Sequence, residues 1–296
     1  MREKRVKKDK IASRVMFGLT ILSGLIVFVM IAGLYLRARP IMAAQSFKDL
    51  IFSSSWRPSR GEFGFFPFIM GTMWVTMVAI AIALPLSLLV SLYLSEYMSS
   101  KPREVVRSLL DLLAGIPSVI YGVWGMLVIV PLIRRHIAPA MGIVSTGFSV
   151  LTAGIVLSVM ILPVVIHVSL EVFSSVSAEL REASLSLGAT KWQTIKHVLV
   201  RKSMPGIIAA MVLGVSRAFG ETMAVLMVAG NLARVPGSLF DPAYPLPALI
   251  ANNYGEMLSI PLYDAALLFA ALILLVVVLF FNVVSRFILH KVEGRI

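Results

Sequence analysis

The chain has 296 residues, 58% of them hydrophobic and 14% charged, with 27 Lys and Arg against 15 Asp and Glu. Its mean hydropathy of +0.92 excludes an ordinary soluble domain and fits an integral membrane protein. There is no cysteine, which excludes a disulfide framework and a cysteine-ligated metal centre. The net charge of +12 raises the question of nucleic acid, but the cations gather at the ends of apolar stretches. Membrane orientation accounts for them, and no nucleic-acid partner is expected.

Residues 1–14 form a basic tail expected to lie near anionic lipid headgroups. Six stretches then have the length and composition of membrane-crossing helices: Val15–Leu36, Phe66–Leu94, Leu109–Ile133, Gly147–Leu170, Pro205–Gly230 and Asp264–Leu289. The first has too long an apolar run for a signal-peptide core and is read as a retained helix. Pro85, Pro117 and Pro163 fall inside the second, third and fourth spans, where a membrane helix tolerates a kink if neighbours satisfy the freed carbonyls. With the N-terminus inside, 18 lysines and arginines lie on the inner side and 8 on the outer, Arg217 being the remaining one. That asymmetry places both termini in the cytoplasm. Residues 15–296 thus read as one six-helix domain of an all-α, multi-pass membrane protein.

The outer loop from Arg37 to Phe65 is long and holds Trp56-Arg57-Pro58. The last outer loop, Asn231 to Tyr263, carries five prolines, with Ala248 to Tyr254 predicted as a short surface helix. A partner-docking surface and a rigid cap over the helix ends are equally good readings of it. In the third span, Leu112 to Gly125 holds three glycines, Pro117 and Ser118. A kinked packing helix is the plainer reading; a broken helix presenting backbone groups to a bound ion is the other. Asp111 and His167 fall near cytoplasmic span ends, where a lone histidine is ordinarily a headgroup-level residue.

Between the fourth and fifth spans, the polar segment at about 177–204 predicts two short helices. Ser177 can cap the first, with Glu179 in its first turn. Gly188 suits the left-handed position that ends a helix. Thr190 with Gln193 matches a capping box opening the second.

The fifth span contains Ser216-Arg217-Ala218-Phe219-Gly220-Glu221-Thr222. Arg217 is twelve residues past Pro205, about 18 Å along a helix and near mid-bilayer. Glu221, four residues on, would share its face and pair with it. A buried ion pair that fixes packing is one reading. The other is a translocation-path element, since a guanidinium fork suits phosphate oxygens. Gly206, Ala210, Gly214 and Ala218 form a small-residue stripe for close helix approach. No phosphate-binding Gly-x-x-x-x-Gly-Lys-Ser/Thr loop, His-Glu-x-x-His or nucleophile elbow occurs, so neither a catalytic residue, a metal site nor a cofactor is expected.

Several of these segments together resemble the PstC-type permeases of bacterial phosphate ABC importers. The residues that carry the resemblance are Trp56-Arg57-Pro58, Phe63 to Thr72, Leu113 to Gly125, Glu182-Ala183 with Gly188, and Arg217 to Thr222. The resemblance implies a type I (MetI-like) permease fold in the bacterial cytoplasmic membrane, with phosphate as the solute. It also implies a second PstA-like permease, a PstB-like ATPase dimer that carries all ATP hydrolysis, and a PstS-like phosphate-binding protein outside. Arg217, Glu221 and Ser118 would then line the path. Glu182, Ala183, Gly188, Ala189, Thr190 and Trp192 would form the loop that docks the ATPase. Two departures stand out. Ser184 occupies the third position of the family's Glu-Ala-Ala triplet. Val198-Leu199-Val200-Arg201 replaces the usual Ile-x-Leu-Pro, so helix geometry near Arg201 is expected to differ. A permease for sulfate or molybdate and a stand-alone ion-coupled transporter are the alternatives. The third- and fifth-span motifs argue against the former, and the Glu182 loop against the latter.

Overall fold

A computed structural model describes residues 2–255 and 260–293, with side chains over 12–255, 260–284 and 286–287. Residues 256–259 and 294–296, assigned above to the last outer loop and the cytoplasmic C-terminus, lie outside the described residues. Helix α1 covers Arg2–Ala44 and α2 covers Phe47–Phe52. A two-residue hairpin follows, β1 (Trp56–Arg57) against β2 (Glu62–Phe63), turned at the left-handed Gly61. Then come α3 (Phe66–Glu96), α4 (Ser100–Gly115), α5 (Ser118–Ala140, with two π-helical turns) and α6 (Val150–Ser174). The rest is α7 (Ala178–Ser186), α8 (Lys191–Gly220), α9 (Met223–Val228), α10 (Leu246–Asn253) and α11 (Tyr263–Glu293). Six of these helices are long and apolar enough to cross a bilayer: α1 from Ala12, α3, α5, α6, α8 and α11 up to Val284.

The differences from the sequence reading have local causes. The all-α architecture holds, with one small unpredicted addition: Gly61 lets the chain turn back and pair Trp56 with Phe63. The basic tail is not a separate segment: Arg2 to Arg14 continue as the first turns of α1. The third span does not run from Leu109 to Ile133. The helix stops at Gly115 and restarts at Ser118, because Ile116 precedes a proline and is held extended (φ −67°, ψ 129°). The fifth span starts fourteen residues earlier than Pro205 and stops ten before Gly230. The short surface helix is present as α10.

Helix α6 is the centre of the bundle, and its neighbours approach through small residues. A Cβ on Gly154 would sit 2.7 Å from Val78 Cβ of α3. A Cβ on Gly214 or on Gly206 of α8 would meet Val165 or Val172 of α6 at about the same separation. The stripe on α8 is therefore its seam with α6. Near the outer ends, Trp56, Phe63, Phe65, Phe68, Tyr244, Tyr263 and Phe269 form one aromatic cluster with ring centroids 4.8–6.4 Å apart. Within it, the Leu246 amide donates to Thr72 Oγ1 at 2.9 Å, and Gly71 leaves room for the Tyr244 backbone. The Phe63–Thr72 motif is thus the seat of the last outer loop.

The α3–α6 seam gives a direct test. Gly154→Leu should destabilise the protein by about 1–3 kcal/mol through overpacking. Gly115→Ala, with nothing within 4 Å of the new methyl, should stay within about 0.5 kcal/mol. Denaturant unfolding in detergent measures both, and equal stability of the two variants would contradict the packing described.

Candidate functional site

Two helix breaks face each other inside the bundle. One is Ile116-Pro117 between α4 and α5; the other is Glu221-Thr222 between α8 and α9. They are held together by glycines. A Cβ on Gly122 would lie 3.2 Å from Ala224 Cα and 2.7 Å from Met227 Sδ of α9. A Cβ on Gly125 would press on Val156 of α6 and Val228 of α9. The third-span glycines therefore let α9 lie directly against α5.

The depth of this junction follows from α6. Val156 is about 9 Å into that helix, and Tyr121 is about 6 Å further inward than Gly125. Tyr121 thus lies about 15 Å from the outer end of α6, near the middle of a bilayer about 30 Å thick. Its hydroxyl donates to the Leu113 carbonyl at 2.8 Å. That carbonyl also accepts from the Ile116 amide at 3.2 Å, so Tyr121 adds a second bond where α4 ends. Arg217 lies in the last turn of α8, three residues before that helix ends at Gly220. Its own side chain is exposed on this chain. Ser118, half-buried, is the first residue of α5, one turn from Tyr121.

The expected Arg217–Glu221 pair is not formed. Glu221 has left the helix (φ −74°, ψ 128°), so the two residues do not share a helical face, and no ion pair within 4.0 Å joins them. The Glu221 carboxylate instead accepts a hydrogen bond from the Ala224 amide at 3.2 Å, satisfying one of the free amides at the start of α9. Gly220, the last residue of α8, was the signal that the helix stops here. Arg217 is left without a protein hydrogen bond or ion pair among the described residues.

The polar segment differs from the reading in two ways: its second helix is not short but opens the long α8, and its first lacks the expected side-chain cap. Ser177 sits at the N-cap of α7, but its side chain makes no capping bond. Gly188 is left-handed (φ +83°). Thr190 and Gln193 form the reciprocal capping box that opens α8, at 3.3 and 2.8 Å. Ser184, the departure from the triplet, bonds Thr194 Oγ1 at 2.9 Å and so ties α7 to α8. The second departure coincides with a π-helical turn at Ile195–Leu199. Glu182, Ala183, Gly188, Thr190 and Trp192 are exposed and Ala189 half-buried. Leu187 at 89% and Trp192 at 58% exposure make an apolar tip. One relation was not visible beforehand: α8 runs unbroken from Lys191, inside this loop, to Gly220, three residues past Arg217. His167, read as a lone histidine, lies 3.5 Å from Asp111 and 3.8 Å from Glu171.

Six helices able to cross a bilayer, an exposed polar loop and an arginine near mid-membrane with no partner among the described residues define a multi-pass membrane protein. The chain belongs to the family described as binding-protein-dependent transport system inner membrane component, which matches residues 83–294. It is 38% identical to the "Probable ABC transporter permease protein YqgH" of Bacillus subtilis, over 81% of this chain and 77% of that one. It is 33% identical to the "Phosphate transport system permease protein PstC" of Xylella fastidiosa, over 83% and 80%. Its fold is similar to that of a chain in a bacterial alginate ABC transporter solved with an alginate-bound periplasmic protein. That match has a TM-score of 0.63 at 19% identity and covers 97% of each chain.

The two roles offered for Glu221 are separable. Glu221→Gln keeps the acceptor oxygen and should keep stability. Glu221→Ala removes the cap and should cost about 1 kcal/mol. If the glutamine variant is as unstable as the alanine variant in detergent unfolding, the charge matters rather than the cap.

Proposed function

We propose that this chain is a permease subunit of an ATP-driven importer of inorganic phosphate in the bacterial cytoplasmic membrane. It would work with a second permease, an ATPase dimer below and a phosphate-binding protein outside. The observation that carries the reading is Arg217, a guanidinium near mid-membrane, at a break between two helices, with no protein partner among the described residues. A full charge at that depth is expensive unless it faces protein or a polar path. On this single chain it is exposed, so the second permease would close the path around it. Phosphate near neutral pH is an anion whose oxygens match the guanidinium fork. The names of the PstC relatives support phosphate as the solute.

The Glu182 loop supplies the mechanical half. Its apolar tip at Leu187 and Trp192 is open in this chain, and α8 leads from it to Arg217. ATP binding and hydrolysis belong to the partner, since this sequence holds no phosphate loop. Ser118 sits in the opposite break and would line the path with Arg217. Glu221 would hold the end of α9 beside it.

Uptake of radiolabelled phosphate by liposomes holding the four-part complex tests the reading. Arg217→Gln should lower uptake about 100-fold, equivalent to about 3 kcal/mol, with the complex still assembled. Uptake near the unmodified rate would refute the assignment, and sulfate uptake in place of phosphate would identify a different oxyanion.

The loop has its own test. Gly188 has open space around it but a positive φ. Gly188→Val should strain the turn by about 1–2 kcal/mol and lower phosphate moved per ATP, whereas Gly188→Asn should be tolerated. Equal transport by the two variants would separate Gly188 from coupling.

A further inference from the structure

Arg181 joins three elements at the inner end of the bundle. Its Nη1 donates to the Val176 carbonyl at 2.6 Å, just past the end of α6. Its Nη2 donates to the Phe173 carbonyl at 2.8 Å and to Glu96 Oε1 at 3.0 Å. Glu96 is the last residue of α3, and its side chain is only 11% exposed against 23% for Arg181. A second cation reaches the same place: Lys191, the first residue of α8, donates to the Glu96 carbonyl at 2.6 Å and lies 4.4 Å from the Tyr97 ring centroid. Both cations approach helix C-termini, where the backbone carbonyls carry partial negative charge.

This arrangement is unlike a surface ion pair, which would be worth little. The guanidinium is planar and its bonds are directional, so it fixes the orientation of α7 against α3 and α6 together. Helix α3 then runs from Glu96 outward. Its Met73, Thr76 and Met77 share a cavity wall with Val215 and Phe219 of α8, on the face of that helix turned away from Arg217. The loop therefore has two rigid arms into the membrane, α8 by covalent continuity and α3 through Arg181 and Glu96.

We propose that Arg181 and Glu96 are positioning residues that make α3 move with the docking loop, so that ATPase motion reaches α3 as well as α8. The proposal rests on reading the 177–204 segment as the ATPase contact. A lone long helix would transmit motion only along itself. Clamping α3 to the same loop makes the two helices shift as one body.

The test uses the reconstituted complex and reads phosphate taken up per ATP hydrolysed, together with the amount of ATPase retained. Arg181→Gln and Glu96→Gln should each lower that ratio at least fivefold with the ATPase still bound, and the double variant should be no worse than either. Arg181→Lys should recover only part of the loss. The chain has no native cysteine, so Arg181→Cys with Glu96→Cys can be linked by a short bis-maleimide. Linking should restore the ratio to within about twofold, and capping both thiols with a monofunctional maleimide should not. An unchanged ratio in both glutamine variants would overturn the proposal. If those variants fail to assemble, the linking arm decides: no recovery on linking would overturn it equally. Failure of the underlying reading looks different, because a Leu187→Asp, Trp192→Asp change at the exposed tip would then leave ATPase retention and the phosphate-to-ATP ratio unchanged.

Discussion

The rest of the molecule depends on the unbroken helix from Lys191 to Gly220. At one end its N-terminus is fixed by the Thr190–Gln193 capping box inside an exposed polar loop. At the other it stops within a turn of Arg217, because Gly220 ends it and Glu221 turns extended to cap the next helix. Its small-residue face lies on α6 through Gly206 and Gly214, which seats that stretch directly on the bundle core. A charge that would be prohibitive on an isolated membrane helix becomes tolerable at a break, where backbone groups and a tyrosine hydroxyl are also gathered.

The opposite wall is built to receive that break. The third-span glycines have two kinds of use. Gly122 and Gly125 bring α9 and α6 against α5 at separations that any side chain would forbid. Gly115 is open and merely ends α4 before Pro117. The segment read as one kinked helix is in fact two helices with one extended residue and a proline between them. Tyr121 spans that gap to the Leu113 carbonyl and so ties α5 back to the end of α4.

What was legible in the sequence was what is local. Capping-box chemistry at Thr190 and Gln193, the left-handed Gly188, and the six apolar stretches all depend on neighbours within a few positions, and all appear in the structure. The breaks were harder to read. Counting four residues from Arg217 to Glu221 assumes that the helix continues, and an apolar run continues through Glu221-Thr222 in composition even where the backbone does not. Pro117 and Gly220 were the available signals and were absorbed into the spans. The Trp56–Phe63 hairpin is too short to show an alternating pattern. The Arg181–Glu96 contact joins positions 85 residues apart, and nothing in either neighbourhood marks them as partners. The Glu221 role changed for the same reason: its position was visible, but its partner was set by where the helix ended.

The central claim is that α8 carries motion from the loop to Arg217 as a rigid element. Electron–electron distance measurement tests it directly, with spin labels at Trp192→Cys and Val215→Cys of this cysteine-free chain in the assembled transporter. The helix geometry puts the two labels about 35 Å apart. The account predicts that this distance stays within about 2 Å between nucleotide-free and ATP-bound complexes, while the distance from Val215 to a label at Val119 on α5 changes. A change of about one helical turn, about 5 Å, within α8 itself would contradict it.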